Sequence, residues 1–338
     1  MKSLLVFIYV LVATVSVISH GEIRAIIDMG SGSTKMKVYS FASAANVNEI
    51  KKCKAEKSIA VKESIQNELI DGATELLIIS AVKELKEQAL SCGATKFVAV
   101  ATAAYREAKN GGSILTKVAQ EAGIQTNLAT WEEEAMLGFA GVDHLLNDHQ
   151  DKCVWDIGGG SLQIVCRVDN NYTIDLSDIA SVKFKNLVID LQRPWPYKKY
   201  KRPNTPNPVQ IKTLKIDLFT SSLNKLKSNF KNANHLAHLP VYGIGGVHKF
   251  SAFIPLKAKT SGTYGTSDLD ELIQAWSKLT DEDLVNQNIV SAPFASTHVS
   301  NTLLIKTVME LFKIPKVTFV DSGLFEGILF TEKYWSTR

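Results

Sequence analysis

Little in this chain points to a metal cage of familiar spacing or to a protein nucleophile. Its seven histidines are scattered and its four cysteines form no C-x-x-C pair, which excludes a common zinc site. No Gly-x-Ser-x-Gly elbow is present, so a serine hydrolase of that type lacks its nucleophile. Basic residues exceed acidic ones by only four charges, too weak a bias to recruit a nucleic-acid duplex or an anionic membrane. Beyond residue 20 no apolar run is long enough to span a bilayer. Proline is scarce as well, nine in all, and five of them, Pro194, Pro196, Pro203, Pro206 and Pro208, crowd one stretch.

The first 20 residues stand apart from the rest. Lys2 supplies a positive start, Leu4 to Ile18 an apolar segment broken only by Thr14 and Ser16, and Val17-Ile18-Ser19 an exit before His20. This reads as a signal peptide, and the expected location is exported, periplasmic or secreted. The even set Cys53, Cys92, Cys153 and Cys166 is compatible with disulfides in such a compartment. Cys153 and Cys166 lie symmetrically about a glycine turn and could face each other across a hairpin; buried free thiols are the equal alternative. Asn171-Tyr172-Thr173 matches a glycosylation sequon, a signal common by chance.

What the chain does contain, it contains twice. An apolar strand enters Asp28-Met29-Gly30-Ser31-Gly32-Ser33 and leaves as Met36 to Phe41. The pattern returns as Asp156-Ile157-Gly158-Gly159-Gly160-Ser161, leaving as Ile164-Val165-Cys166. Each copy puts a carboxylate at a strand end and then a turn whose missing side chains let backbone N–H groups point at one anion. Asp28 and Asp156 in matching repeats are expected to hold Mg2+ or its waters, because that cation prefers carboxylate oxygen. Ser31, Gly32 and Ser33 on one side, with Gly159, Gly160 and Ser161 on the other, are expected to offer N–H and hydroxyl donors to phosphate oxygens, with Gly30 and Gly158 counted in the same phosphate-binding set.

Between and after the copies, hydrophobic spacing predicts a helix over 74–90, with Leu76, Leu77, Ile79, Val82 and Leu85 recurring on one face, a buried strand over 96–100 and a helix over 113–122 ended by Gly123. Strand and helix alternate, which predicts an α/β layered domain. The segment 190–208 reads as a loop carrying Arg193, Lys198, Lys199, Lys201 and Arg202 among aromatic residues, followed by a helix over 211–230. A third glycine cluster, Gly243-Ile244-Gly245-Gly246, ends another strand; a helix over 299–312, a strand over 317–320 and a helix after Gly323 close the chain. His248 is the histidine nearest the expected cleft, with packing its expected role.

Two further motifs carry chemistry. Ala101-Thr102-Ala103-Ala104-Tyr105-Arg106 places Arg106 at the carboxyl end of a buried strand, where ligands bind in open α/β sheets; the alternative for Arg106 is an ion pair with a neighbouring glutamate. Trp131-Glu132-Glu133-Glu134-Ala135 opens a helix with three acids that complement its dipole. Hydrolysis of a phosphoanhydride needs an oriented water, and a carboxylate near the cleft is the usual means.

In order as well as kind, these blocks, together with Gly323-Leu324-Phe325-Glu326-Gly327, resemble the exopolyphosphatase/guanosine pentaphosphate phosphatase (Ppx/GppA) family of the actin-like ATPase superfamily. The resemblance implies two ribonuclease-H-like lobes around a cleft, over 21–148 and 149–338, with room for the last helix to pack back on the first lobe. It implies that Glu134 orients the attacking water, that Arg106 grips phosphate, and that Gln163, Gly245 and Gly246 join the phosphate-binding set. The expected activity is Mg2+-dependent hydrolysis of a terminal phosphate of polyphosphate or a phosphorylated nucleotide, with a homodimer left open. Three departures stand out: Gln163 replaces a glutamate, Phe325 replaces an arginine, and the usual arginine-rich helix is unrecognisable in 295–301. Gly-x-Ser-x-Gln is similar to apyrases, so nucleoside tri- or diphosphate hydrolysis is the alternative, and a non-catalytic phosphate binder a further one.

Overall fold

The computed structural model describes residues 21–43, 46–192 and 230–335. The first sheet starts from a meander, β1 (Glu22–Met29), β2 (Ser33–Ser43) and β3 (Asn46–Ser58). A small hairpin, β4 (Ile65–Gln66) and β5 (Leu69–Ile70), follows, then α1 (Gly72–Ser91) and β6 (Lys96–Ala101). The lobe closes with α2 (Ala103–Glu107), α3 (Gly111–Ala122), β7 (Gln125–Leu128) and α4 (Trp131–Leu146). The strands lie in the order β3-β2-β1-β6-β7, with β6 and β7 parallel to β1.

The second sheet repeats the plan. β8 (Lys152–Ile157), β9 (Leu162–Val168) and β10 (Asn171–Ser177) form its meander, and β11 (Val241–Ile244), β12 (Thr263–Tyr264) and β13 (Val317–Phe319) extend it in the order β10-β9-β8-β11-β13-β12. Five strands reproduce the first sheet's order, and β12 adds an antiparallel edge. Its helices are α5 (Ser181–Gln192), α6 (Ala233–Leu236), α7 (Gly245–His248), α8 (Ile254–Thr260), α9 (Thr266–Trp276), α10 (Asp281–Asn286), α11 (Ala295–Phe312) and α12 (Leu324–Phe330). No helix among the described residues is long and apolar enough to cross a membrane.

Several expectations shift in detail. α1 begins at Gly72 because Asp71 caps it, accepting from the Thr74 amide at 2.8 Å. Its buried stripe is Ile78, Val82, Leu85 and Ala89, whereas Leu76 and Leu77 are 70% and 59% exposed. At about 100° per residue Leu76 sits across the helix from Ile78, so the expected face was drawn too wide. Residues 190–192 continue α5 instead of beginning a loop; 193–208 and the helix expected over 211–230 lie outside the described residues, except Phe230, which is buried coil. α11 starts at Ala295, four residues before its expected start.

All four cysteines are disulfide-bonded. Cys53 and Cys92 tie β3 to the end of α1. Cys153 and Cys166 stand opposite each other in the β8/β9 register, so the hairpin itself brings them together.

α12 packs on the first lobe although it is last in sequence. Glu326 caps its own helix by accepting from the Gly323 amide at 3.0 Å, and accepts from Tyr39 at 2.8 Å and Lys37 at 3.0 Å on β2. Arg24 donates to the Leu329 carbonyl at 3.2 Å. Leu324, Phe325, Ile328 and Leu329 share a buried cluster with Ile26, Val98, Val100 and Leu137. The crossing with α4 is close enough that a Cβ on Gly327 would run into the Leu137 carbonyl oxygen. Gly327→Ala is therefore expected to destabilise the protein by about 2 kcal/mol or more, through backbone displacement. Urea unfolding measures it; a change within about 0.5 kcal/mol would mean the helices are not in contact there.

Candidate active site

Both doubled turns close in the same way. The Gly30 amide donates to Ser33 O at 3.0 Å and the Gly158 amide to Ser161 O at 2.8 Å. Gly30 and Gly158 thus spend their N–H groups shaping the turns. The carbonyls are held from behind: Ser31 O and Gly32 O accept from the amides of Lys62 and Ile59, at 3.0 and 3.2 Å. Gly158 O and Gly159 O accept from Ser181 and Val182 at the start of α5, at 3.2 and 3.0 Å. With the carbonyls fixed, the N–H groups of Ser31, Gly32, Gly159 and Gly160 have no backbone acceptor among the described residues. Such a pair of turns is suited to an anion. They meet face to face, since a Cβ on Gly160 would lie 2.7 Å from Ser31 Oγ, and Ser31, Ser33 and Ser161 are buried at the junction.

Asp28 and Asp156 end β1 and β8 at this junction. Burial pushes the Asp28 carboxyl up to about 6; Lys35 opposes the shift, while Glu134 and Glu56 add to it. Burial pushes Asp156 up to about 7, with the charges of Glu134 and Asp28 reinforcing it. Asp28 Oδ1 is buried without a hydrogen-bond partner. Gly245 lies against Asp156 with φ +83°, a conformation open to glycine, and a Cβ there would strike Asp156 Oδ1. Gly246 follows in α7 with its nearest neighbour, Phe250, at 3.9 Å from a built Cβ. No group of three His, Cys, Asp or Glu side chains among the described residues is arranged to hold a metal. Two carboxylates that repel each other, one with an orphaned oxygen, nevertheless suit a hard cation that draws its other ligands from water and substrate.

The three acids of α4 have separate places. Glu132 is exposed. Glu133 completes a capping box with Thr130, the two bonds being 2.9 and 3.1 Å, and pairs with Lys333. Glu134, one residue on, is buried: Oε1 accepts from Ser161 Oγ at 3.0 Å, across from the second turn, and Oε2 pairs with Arg106 Nη2 at 2.6 Å. Burial raises its pKa above the usual carboxylate value, against the opposing pull of Arg106, Ser161 and Gln163. Arg106 also donates to the Ala129 carbonyl at 2.8 Å. The ion pair expected as the alternative for Arg106 is present, but it is buried and made with Glu134, 28 residues away, where a surface pair with a neighbouring glutamate was expected.

Gln163 is buried opposite Asp156 in the β8/β9 register, with neither of its amide atoms hydrogen-bonded among the described residues. A neutral amide there spares the junction another carboxylate. Phe325 is not in the cleft; it packs in the α12 cluster with the Lys37 ammonium 5.1 Å from its ring. His248 is fully buried, its Nδ1 2.6 Å from the Tyr264 hydroxyl, and burial pushes its pKa down to about 3, consistent with packing. Lys35 escaped the sequence reading. It stands opposite Asp28 in the β1/β2 register and is the cation whose field reaches both Asp28 and Asp156. Counting back through the hairpin from Asp28 could have found it.

The duplicated sheets around a junction of glycine turns give the two-lobed fold that solved Ppx/GppA family members also have. Residues 43–186 match the Ppx/GppA phosphatase family, which bears out the resemblance seen in the motifs. That stretch includes Arg106, Glu134 and the second turn, but begins after the first. Exopolyphosphatase 1 of Mycobacterium tuberculosis is 28% identical over 153 residues, 45% of this chain and 44% of the relative; that of Mycobacterium leprae is 26% identical over 153 residues, 45% of each. The chain thus spans less than half the length of the curated relatives it matches. The solved Ppx/GppA family member of Aquifex aeolicus superposes with a TM-score of 0.71 at 18% identity, covering 94% of this chain and 99% of the other. An exopolyphosphatase of Cytophaga hutchinsonii gives 0.75 at 16%, covering 92% and 97%.

The raised carboxyls make a pH prediction. Asp28 and Asp156 bind protons more tightly folded than unfolded, so between about pH 4 and 7 their contribution to stability falls as pH rises. In chelator, Asp156→Asn should therefore gain on the wild type in thermal melts as pH rises from about 5 to about 8. A gap that stays constant across that range would contradict the burial of Asp156 at this junction.

Proposed function

We propose that this protein is an exported, Mg2+-dependent phosphoanhydride hydrolase that releases the terminal phosphate of polyphosphate or a nucleoside polyphosphate. The observation that carries this reading is Glu134, buried at the meeting of two anion-ready turns and hydrogen-bonded across the lobes by Ser161. The names of the exopolyphosphatase relatives favour polyphosphate. The two disulfides and the apolar start of the chain favour export to an oxidising compartment.

In this reading the free amides of Ser31, Gly32, Gly159 and Gly160 bind the oxygens flanking the scissile bond. Their donors are fixed before substrate arrives, so little reorganisation accompanies the build-up of negative charge. Glu134 orients a water toward the terminal phosphorus, and its raised pKa suits proton acceptance near neutral pH. Arg106 turns from Glu134 to the phosphate oxygens. Mg2+ at Asp28 and Asp156 would neutralise phosphate charge.

A second reading, hydrolysis of nucleoside tri- and diphosphates in the manner of apyrases, is favoured by Gln163, buried opposite Asp156 in the β8/β9 pair. Phosphate release from polyphosphate, guanosine pentaphosphate, ATP and ADP with Mg2+ separates the two. Glu134→Gln, which keeps side-chain volume but not the charge paired with Arg106, should cut release by about 100-fold or more in protein that still melts cooperatively above the assay temperature. No release from any substrate would sink the hydrolase reading, and full activity in the variant would remove Glu134 from its role.

A further inference from the structure

We propose that Trp131 is a positioning residue for phosphate capture: its ring holds the Arg106 guanidinium in place while that group exchanges the Glu134 carboxylate for a substrate phosphate. The proposal rests on the hydrolase reading and adds to it a residue outside the doubled turns.

The guanidinium is confined on three sides. Nη1 donates to the Ala129 carbonyl at 2.8 Å, Nη2 meets Glu134 at 2.6 Å, and the guanidinium carbon lies 4.6 Å from the centre of the Trp131 ring. Two of these anchors come from one rigid piece of chain. The Ala129 amide is tied to Ala101 O of β6 at 3.0 Å, and the Thr130–Glu133 capping box locks the first turn of α4. The third anchor is the one a substrate phosphate displaces. Glu134 Oε1 accepts from Ser161 Oγ and Oε2 lies against Arg106 Nη2, so a phosphate that takes the guanidinium opens Oε2 to a water. A phosphate group competes for a guanidinium through the same paired hydrogen bonds a carboxylate makes. When it arrives, Ala129 and Trp131 keep Arg106 from following Glu134 or swinging into solvent.

Structural alternatives for Trp131 are poorly supplied. The start of α4 is already capped by Thr130 and Glu133. The ring is half-buried and belongs to none of the apolar clusters among the described residues. The indole gives the strongest cation–π face of any side chain.

The test compares Trp131→Phe, which keeps a π face, with Trp131→Leu, which keeps apolar bulk without one. Inorganic phosphate binding is measured by calorimetry, and KM and kcat with tripolyphosphate and Mg2+. The expected result is about 3- to 30-fold weaker phosphate binding and a similar rise in KM for Trp131→Leu, with kcat changed less, and values nearer wild type for Trp131→Phe. Measurements are made below the melting transition of the less stable variant, so that unfolding does not enter. Equal phosphate affinity in wild type, Phe and Leu variants overturns the proposal, as does a Leu variant as good as Phe. If the wild type releases no phosphate at all, the hydrolase reading fails, and the order of phosphate affinities alone still decides the role of Trp131.

Discussion

The structure turns on a charge imbalance at one buried junction. Asp28, Asp156 and Glu134 converge where the two sheets meet, and only Glu134 has a guanidinium against it. Burial resists the ionisation of Asp28 and Asp156, and the nearby charge of Glu134 adds to it, which is why both sit well above their usual range. A fold keeps such an arrangement only if the surrounding chain over-determines it. Here the two sheets, joined by the Ser161–Glu134 bond and the contact of Ser31 with Gly160, hold the acids where they are.

That rigidity is built mostly from backbone. Each turn closes on itself through its first glycine, and each has its carbonyls pulled outward by a neighbouring segment, residues 59–62 in one lobe and the start of α5 in the other. What remains is a set of N–H groups with no backbone acceptor among the described residues. The same duplication produces negative charge at the strand ends and donors in the turns, which attract a cation and an anion respectively. A metal–phosphate pair answers both demands at once. Arg106, from α2, ties this core to the start of α4 through Glu134 and the Ala129 carbonyl.

Much of this was legible in the sequence, for identifiable reasons. The doubled Asp-x-Gly-x-Gly-Ser pattern is local, and so is the α/β alternation that places it at strand ends. Cys153 and Cys166 could be paired on paper because a hairpin's register follows from its turn. The division of labour among Glu132, Glu133 and Glu134 follows from helix geometry, but only once the cap at Thr130 is fixed. Long-range facts escaped. Nothing near Arg106 in sequence announces Glu134 as its partner, and nothing near Phe325 announces that it faces Lys37 and the first lobe's core. Lys35 was missed because it lacks a motif; its meaning comes from standing across the hairpin from Asp28. Leu76 and Leu77 misled because apolar residues at a helix start need not lie on its packed face.

The central claim is that this junction directs water onto a terminal phosphorus. Its most direct test is hydrolysis of tripolyphosphate in ¹⁸O-water with Mg2+, with the products separated by mass. The account predicts one ¹⁸O atom in the released orthophosphate and none in the diphosphate. Label in the diphosphate, or orthophosphate released without label, would contradict it.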